Sequence, residues 1–206
     1  MSLKKDTAKV MLCNYSDISR IFADYHYKTA QIGGGISRCF AMFINNKLVG
    51  GSVLGVPRHE SKYPKSIDIR RMACTDSAPK NSESYFIGQV ISWVASNYDY
   101  DYVLSYSDLT QNHIGTIYKA TNFKQVGETS PTKYIEWGDK KYHPRSLSID
   151  REYSRRLNIA IENGQATIKT GLPKKIWIYT ISKKQKRKKV HFNNYSDVTP
   201  NQLNLF

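Results

Sequence analysis

The segment from residue 66 to residue 137 constrains the fold most, because strand-like and helix-like stretches alternate along it. SIDIRRMAC has the composition of a strand, and YFIGQVISWVASNY places its aliphatic side chains on one face of a helix. DYVLSYS then predicts a strand, GTIYKATNF a helix, and FKQVGE and KYIEW two further strands. This alternation predicts an α/β fold in which helices flank a mixed sheet.

Further elements are predicted on both sides of this segment. A helix is expected within residues 15–31, and the runs CFAMFI and KLVGGSVLG predict a hairpin whose turn is Asn45-Asn46. Later in the chain, DREYSRRLNIAIENG predicts a helix, and ATIKT and KKIWIYTIS predict two strands. These elements extend the mixed sheet in both directions along the chain.

The length and the basic run near the end suggest how the chain is organised. A chain of 206 residues can bury one sizeable core without a second domain. We therefore expect a single domain over residues 1–182, with its core at about residues 15–150. The run KKQKRKK begins a polar segment, so residues 183–206 are predicted to form a basic, flexible extension.

The chain is strongly basic. It has 31 Lys and Arg against 17 Asp and Glu, a formal net charge of +14 at pH 7. Such an excess favours a polyanionic partner such as DNA, because binding releases the counterions that are condensed on the phosphates. The 15 tyrosines also suit stacking on bases, although a general bias toward Tyr, Asn, Ile and Lys would give the same content.

The cysteines and the apolar runs indicate the compartment. Cys13, Cys39 and Cys74 follow no metal-ligand or disulfide spacing, which favours a reducing cytoplasm. The chain has no apolar run of about 18 residues, and its first residues lack the apolar region of a secretion signal. We therefore expect a cytoplasmic protein that does not cross a membrane.

The turn before the second helix has the features of an anion site. It lies between a strand that ends at Cys74 and a helix that begins near Ser82. The first amides of that helix, the helix dipole and Lys80 would together attract a phosphate. An ordinary capped connection without a ligand, with Asn81 as the cap, is the alternative.

The order of these elements resembles that of the GNAT acyltransferase superfamily: strand, pyrophosphate loop, long helix, strand, short helix, strand. Tyr118, Asn122 and Phe123 are similar to the superfamily pattern Tyr-x-x-x-Gly-Phe, and Asn tolerates the left-handed helix end as Gly does. The resemblance implies an acetyl-CoA or related acyl donor. Because the turn lacks the usual glycines, the donor contacts are expected from Arg71, Lys80, Asn81, Ser82 and Ser84.

A closer resemblance is to the Mom family of phage DNA-modification proteins. It is carried by ADYHY, by RRMAC followed by DSAPKNSES, by SYSDLTQNHIGTIYKATNF and by YHPRSLS, over roughly residues 20–150. The resemblance implies conversion of adenine in phage DNA to N6-carbamoylmethyladenine, which protects the DNA from host restriction enzymes. The amino group of adenine lies inside the base stack, so the base must be extruded or single-stranded.

The Mom resemblance implies functional roles for His26 and Tyr27, and the GNAT resemblance implies a catalytic role for Tyr118. Asp108 is a further catalytic candidate because it ends a strand, where α/β proteins usually collect their reactive groups. His26 would remove the proton from the adenine amino group, and Tyr118 would protonate the departing thiolate. Each residue also has a plain structural interpretation. His26 would lie in a packed aromatic cluster, Asp108 would cap a helix that begins near Thr110, and Tyr118 would be a core aromatic residue.

The expected product raises the question of a metal. A carbamoylmethyl group is attached through an alkyl carbon, which simple acyl transfer does not produce. The family resemblance implies iron, and His26 and Asp108 would be its ligands.

The basic run is expected to hold the phosphates of DNA through Lys183, Lys184, Lys186, Arg187, Lys188 and Lys189. A solvated charge run without a ligand is the alternative. Two other functions fit the same sequence features. One is an ordinary GNAT N-acetyltransferase that acts on a small amine or a protein, and the other is a DNA-binding module without catalytic activity.

Overall fold

The computed structural model describes residues 3–26, 35–57, 62–148 and 152–197. The chain divides into two compact units of unequal size. The first unit combines residues 1–106, 115–126 and 176–206, and the second combines residues 107–114 and 127–175.

The described residues form ten strands and five α-helices, with short 3-10 turns between some of them. In chain order they are β1 Ala8–Cys13, α1 Tyr15–Tyr25, β2 Ile36–Ile44, β3 Lys47–Gly55, β4 Ser66–Cys74, α2 Ser82–Asn97, β5 Tyr102–Asp108, α3 Thr116–Ala120, β6 Lys124–Glu128, β7 Lys133–Trp137, β8 Lys140–Tyr142, α4 Glu152–Glu162, β9 Ala166–Thr170, β10 Lys174–Thr180 and α5 Lys183–Arg187.

A seven-stranded mixed sheet, in the order β1-β2-β3-β4-β5-β10-β6, confirms the predicted fold class. Strands β1 to β4 are antiparallel neighbours, whereas β4 and β5 are parallel. The predicted hairpin turn between β2 and β3 is present. Asn45 and Asn46 have φ angles of 50° and 63°, which is the left-handed pair that a tight two-residue turn requires.

Helices cover both faces of this sheet. On one side, which we call the α1 face, Ile18 and Phe22 of α1 pack against Val53. On the other side, the α2 face, Phe86 and Val90 of α2 pack in the larger core cluster. Because side chains alternate along a strand, neighbouring residues of β3 and β4 belong to different faces.

The segment after α5 is packed against the sheet, which corrects the prediction of a flexible extension. The ring of Phe192 contacts Phe40 edge-on, with centroids 6.2 Å apart, and Tyr195 stacks on Phe43 at 5.7 Å. The Leu12 amide also donates to the carbonyl of residue 193 at 3.0 Å. The aromatic side chains of Phe192 and Tyr195 thus hold the segment against the sheet. Residues 198–206 lie outside the described part of the chain.

The second unit has its own small core. Strands β8, β7 and β9 form a three-stranded antiparallel sheet, in that order. Leu157 and Ala160 of α4 pack against Ile135 and Ala166 of this sheet. In the part of the chain that the structure describes, no helix is both long enough and apolar enough to span a membrane.

Candidate functional site

The N-terminus of α2 has the geometry of an anion-binding site. Asn81 precedes the helix with φ 72° and ψ 4°, and its side chain makes no capping hydrogen bond. The buried hydroxyl of Ser82 donates to the Pro79 carbonyl at 2.6 Å, which holds the turn in place. The first amides of a helix have no acceptor inside the helix, so they are directed toward a ligand or solvent. Ser84 is half-buried in the first turn of the helix, and Lys80 is exposed beside it.

Asn81 explains how this turn forms without a glycine. Its φ angle lies in the left-handed region, which asparagine tolerates better than most residues. Asn81 therefore occupies the cap position as predicted, but it contributes its backbone conformation rather than a side-chain cap. The left-handed propensity of asparagine was the signal for this in the sequence.

Strands β4 and β5 pair only at their beginnings. Their register runs from Ser66 opposite Tyr102 to Asp68 opposite Leu104, and no further pair is found among the described residues. Strand β4 nevertheless continues to Cys74. The two strands therefore diverge beyond Asp68, and we call this divergence the fork.

Tyr118 of α3 is held at the fork by Ser105. The Ser105 hydroxyl donates to Tyr118 Oη at 2.8 Å and also lies 3.4 Å from the Ile69 carbonyl of β4. Burial raises the pKa of Tyr118, Ser105 partly opposes this shift, and the Glu83 carboxylate adds to it. The phenol therefore keeps its proton at neutral pH. Since Ser105 is the donor in their bond, Tyr118 can donate its own proton to a bound group.

The short helix α3 is positioned by its two ends. Gly115 precedes it with φ 86°, and a Cβ at this residue would lie 2.1 Å from Cζ2 of Trp177. At the other end, Asn122 has φ 64°, and the Phe123 amide donates to the Tyr118 carbonyl at 2.9 Å. This arrangement is the left-handed helix end that was predicted for Asn122.

Asp108 has the structural role that was the alternative in the sequence. Its carboxylate accepts hydrogen bonds from the amide and the hydroxyl of Thr110, so it caps the 3-10 turn Leu109–Gln111. Its other oxygen lies 2.7 Å from Lys174 Nζ. Burial alone would raise the pKa of Asp108, but Lys174 and Thr110 hold it below the ordinary value. Asp108 is thus an anion with its partners in place, and its pairing with Lys174 was not foreseen.

We expect Asp108→Asn to lower the free energy of unfolding at neutral pH by about 1–3 kcal/mol, because Lys174 loses its partner in a mostly buried site. The side chains of Asp108 and Lys174 are 10% and 24% exposed. The folded pKa of Asp108 is depressed, so this stabilisation is present above its unfolded pKa of about 4 and disappears as pH falls through the folded pKa.

Urea unfolding of the wild type and the Asn variant between pH 2 and 7 tests this expectation. Asp24→Asn is the matched control, because the Arg20–Asp24 pair is exposed on both sides, at 71% and 52%, and should contribute under about 0.5 kcal/mol. If the difference in unfolding free energy between the wild type and Asp108→Asn stayed constant down to the lowest pH, the stabilisation would not come from the ion pair with Lys174.

The remaining predicted residues are dispersed. His26 ends α1, and its ring contacts Phe22 edge-on at 6.0 Å, as in a packed aromatic cluster. Arg71 is buried and lies opposite Val53 in the register, which places it on the α1 face and away from the N-terminus of α2. Tyr27 lies outside the described residues. The structure therefore groups Lys80, Asn81, Ser82 and Ser84 but not Arg71.

The predicted iron site finds no support. Across the described ranges, no group of three or more His, Cys, Asp or Glu side chains is placed to hold a metal ion. Both oxygens of Asp108 are engaged, one by Thr110 and one by the ammonium of Lys174. A carboxylate paired with an ammonium does not fit the role of an iron ligand.

The basic segment is a short, fixed helix. A reciprocal capping box joins Ser182 and Gln185, and Gln185 also donates to the Tyr179 hydroxyl at 2.7 Å. Lys186 was predicted to contact phosphate, but its ammonium group is paired with Asp99 at 3.1 Å and with Asp101 at 2.7 Å. The other basic residues of the run are exposed: Lys183, Lys184, Arg187, Lys188 and Lys189.

Comparison with known protein families confirms the resemblance. The chain matches the Mom protein family over residues 8–197. It belongs to this family. A comparison with curated proteins finds no significant match.

Solved structures show that this Mom-family chain has the fold of GNAT acetyltransferases. Arabidopsis thaliana NAA60, in complex with a bisubstrate analogue, has a TM-score of 0.55 at 13% identity, covering 85% of this chain and 99% of that one. Spermidine N-acetyltransferase from Vibrio cholerae, in complex with CoA and spermine, has a TM-score of 0.54 at 7% identity, covering 89% and 99%. At these identities the likeness concerns the fold alone.

Proposed function

We propose that this Mom-family protein uses an acyl-CoA to modify the N6 amino group of adenine in DNA, with N6-carbamoylmethyladenine as the final product. The observation that carries the proposal is the neutral Tyr118 phenol, which Ser105 holds at the fork in a chain that matches the family over residues 8–197. Modified phage DNA would thereby resist host restriction enzymes in the bacterial cytoplasm.

The N-terminus of α2 would bind the diphosphate of the acyl donor. Its amides and the helix dipole favour an anion, and Lys80 adds a positive charge. The left-handed Asn81 leads into the helix, Ser82 holds the turn through Pro79, and the half-buried Ser84 lies in the first turn. The spermidine acetyltransferase of the same fold binds CoA, which supports an acyl-CoA in this site.

Tyr118 would act as the general acid. The thioester supplies an activated carbonyl carbon, and its thiolate leaves more readily when a proton is available. A half-buried phenol with a raised pKa holds that proton at neutral pH. His26 and Tyr27 would act on the adenine side, where the amino group must lose a proton. Asp108 would act indirectly, by holding the turn that follows β5.

The product requires a bond between N6 and a methylene carbon. Direct acyl transfer instead bonds N6 to the carbonyl carbon. Conversion of that acetyl adduct to the carbamoylmethyl product would need a nitrogen donor at the oxidation level of ammonia, a two-electron oxidant, and a rearrangement that bonds N6 to the former methyl carbon. The two adducts differ in composition by one NH group, which makes them distinguishable by mass.

Mass spectrometry of nucleosides from plasmid DNA co-expressed with the full chain tests the proposal. We expect a carbamoylmethyl deoxyadenosine, with a sharp decrease for Tyr118→Phe and none for the control Tyr98→Phe at the far end of α2. An acetyl adduct on a small amine or a protein, with unmodified DNA, would favour an ordinary acetyltransferase. Unmodified DNA that is nevertheless bound tightly would favour a non-catalytic DNA-binding module.

The exposed cations of α5 are expected to contact DNA phosphates. Replacing Lys183, Lys184 and Arg187 by Gln should weaken DNA binding and reduce the salt slope by about 0.9 for each phosphate that the protein no longer neutralises. Lys186 is left unchanged because it holds the helix to Asp99 and Asp101. Deleting the whole segment would be a poorer test, since residues up to 197 pack against the sheet.

Fluorescence anisotropy over a salt titration measures this slope. A control variant with Lys47, Lys119 and Lys124 changed to Gln removes the same charge from other exposed sites. Equal slopes for the two triple variants would mean that net charge alone, and not α5, attracts the DNA.

A further inference from the structure

A cluster of tyrosines covers part of the α1 face beyond helix α1. Tyr102 and Tyr106 alternate with Leu104 on β5, so the three side chains point to one side of the sheet. Tyr63 packs on the same cluster, with its ring edge-on to Tyr102 at 6.2 Å. All three tyrosines are half-buried. We call Tyr63, Tyr102 and Tyr106 the tyrosine platform.

The platform lies on the side of the sheet opposite Tyr118. Ser105, which donates to Tyr118, is the strand neighbour of Leu104 and Tyr106 and therefore points to the other face. The fork is a break between the two faces, because the pairing of β4 with β5 ends at Asp68 and Leu104. A group bound on the platform could thus approach Tyr118 and the acyl donor through the fork.

A positive charge beside the platform also suits a nucleotide. Lys62 Nζ lies 5.7 Å from the centre of the Tyr63 ring, where it could pair with a phosphate next to a stacked base.

We propose that the tyrosine platform is the binding site for the extruded adenine base, which stacks on Tyr63 and Tyr102 and directs its amino group into the fork. The inference rests on the proposed function, because it assumes a DNA substrate. Tyrosine rings provide rigid, sequence-tolerant stacking surfaces for single bases. The acyl donor and the adenine base then approach the fork from opposite faces of the sheet.

Binding of a single-stranded oligonucleotide that contains 2-aminopurine tests the platform without any acyl donor. Tyr102→Leu keeps apolar volume over Leu104 but removes the ring, whereas Tyr102→Phe keeps the ring. We expect affinity to fall by about tenfold for the Leu variant and to stay within about twofold for the Phe variant. Quenching of the 2-aminopurine fluorescence should be lost only with the Leu variant.

Tyr100→Leu is the matched control, since Tyr100 is also half-buried but packs on Tyr98 in the other core cluster. Tyr63→Leu should reproduce the weaker binding seen with Tyr102→Leu. Wild-type affinity and quenching in both Tyr63→Leu and Tyr102→Leu would overturn the inference. An equal decrease of affinity in Tyr100→Leu would also overturn it.

Base binding and DNA modification can be measured separately in the same variants. If plasmid DNA is modified by the wild type but the Leu variants bind and quench normally, the platform is wrong and the function stands. If the Leu variants lose binding as expected but plasmid DNA is never modified, the platform stands as a base-binding site and the proposed reaction is wrong.

Discussion

Replacing Tyr118 by phenylalanine is expected to slow turnover by about 10²- to 10⁴-fold, the usual contribution of a general acid, without weakening acyl-CoA binding. The ring would keep its packing on Phe123 and Trp177, whose centroids lie 5.4 Å and 5.8 Å away. Only the proton donor and the bond to Ser105 would disappear. The effect should therefore appear in kcat and leave the melting temperature almost unchanged.

The pH dependence provides a second measurement on the same residue. Because burial raises the pKa of Tyr118, the wild-type rate should not fall on account of this group until the pH exceeds the ordinary tyrosine value of about 10. Ser105 partly lowers the same pKa, so in Ser105→Ala the decrease of the rate at alkaline pH should begin at a higher pH than in the wild type. A Tyr118→Phe enzyme with full turnover would show that another group protonates the leaving thiolate.

Replacing Gly115 by alanine is expected to lower the free energy of unfolding by about 3 kcal/mol or more, the largest stability effect anticipated for this chain. The new Cβ would lie 2.1 Å from Cζ2 of Trp177, and the φ angle of 86° is strained for any residue with a side chain. Trp177 is 1% exposed and is surrounded by core residues, so its ring cannot move aside cheaply.

Urea unfolding measures this destabilisation, and Gly88→Ala supplies the control. Gly88 lies inside α2, where an added Cβ meets no atom within 4 Å. Alanine should therefore leave stability unchanged or raise it by about 0.5–1 kcal/mol through its better helix propensity. Equal midpoints for the Gly115 variant and the wild type would mean that α3 can shift away from Trp177 without cost.

The elements of the fold could be predicted because their signals are local. The aliphatic face of α2 and the Asn45-Asn46 turn depend on residues a few positions apart, and both are confirmed. Asn122 was expected to take a left-handed conformation, and it does. Strand β1, by contrast, was missed, because a six-residue strand beside a charged terminus has no distinctive periodicity.

The candidate site was predicted in part. The grouping of Lys80, Asn81, Ser82 and Ser84 at the N-terminus of α2 could be predicted because it depends only on a strand, a turn and a helix in sequence. Their binding of an anion stays a prediction. Arg71 was misplaced because a one-residue irregularity between Val53 and Leu54 decides which face of β4 it occupies. The aspartates that bind Lys186 belong to a distant part of the chain, so the basic run alone suggested a flexible arm.

The local elements, the Mom-family resemblance and the excess of positive charge follow from the order of residues along the chain. The contacts between distant residues follow instead from the packing of the sheet: Ser105 with Tyr118, Asp108 with Lys174, and the tyrosines on one face beside the fork. Periodicity reports which side of a strand or helix is apolar, because that depends on neighbours in the chain. It does not report which strands lie side by side, because strand order depends on the packing of the whole sheet.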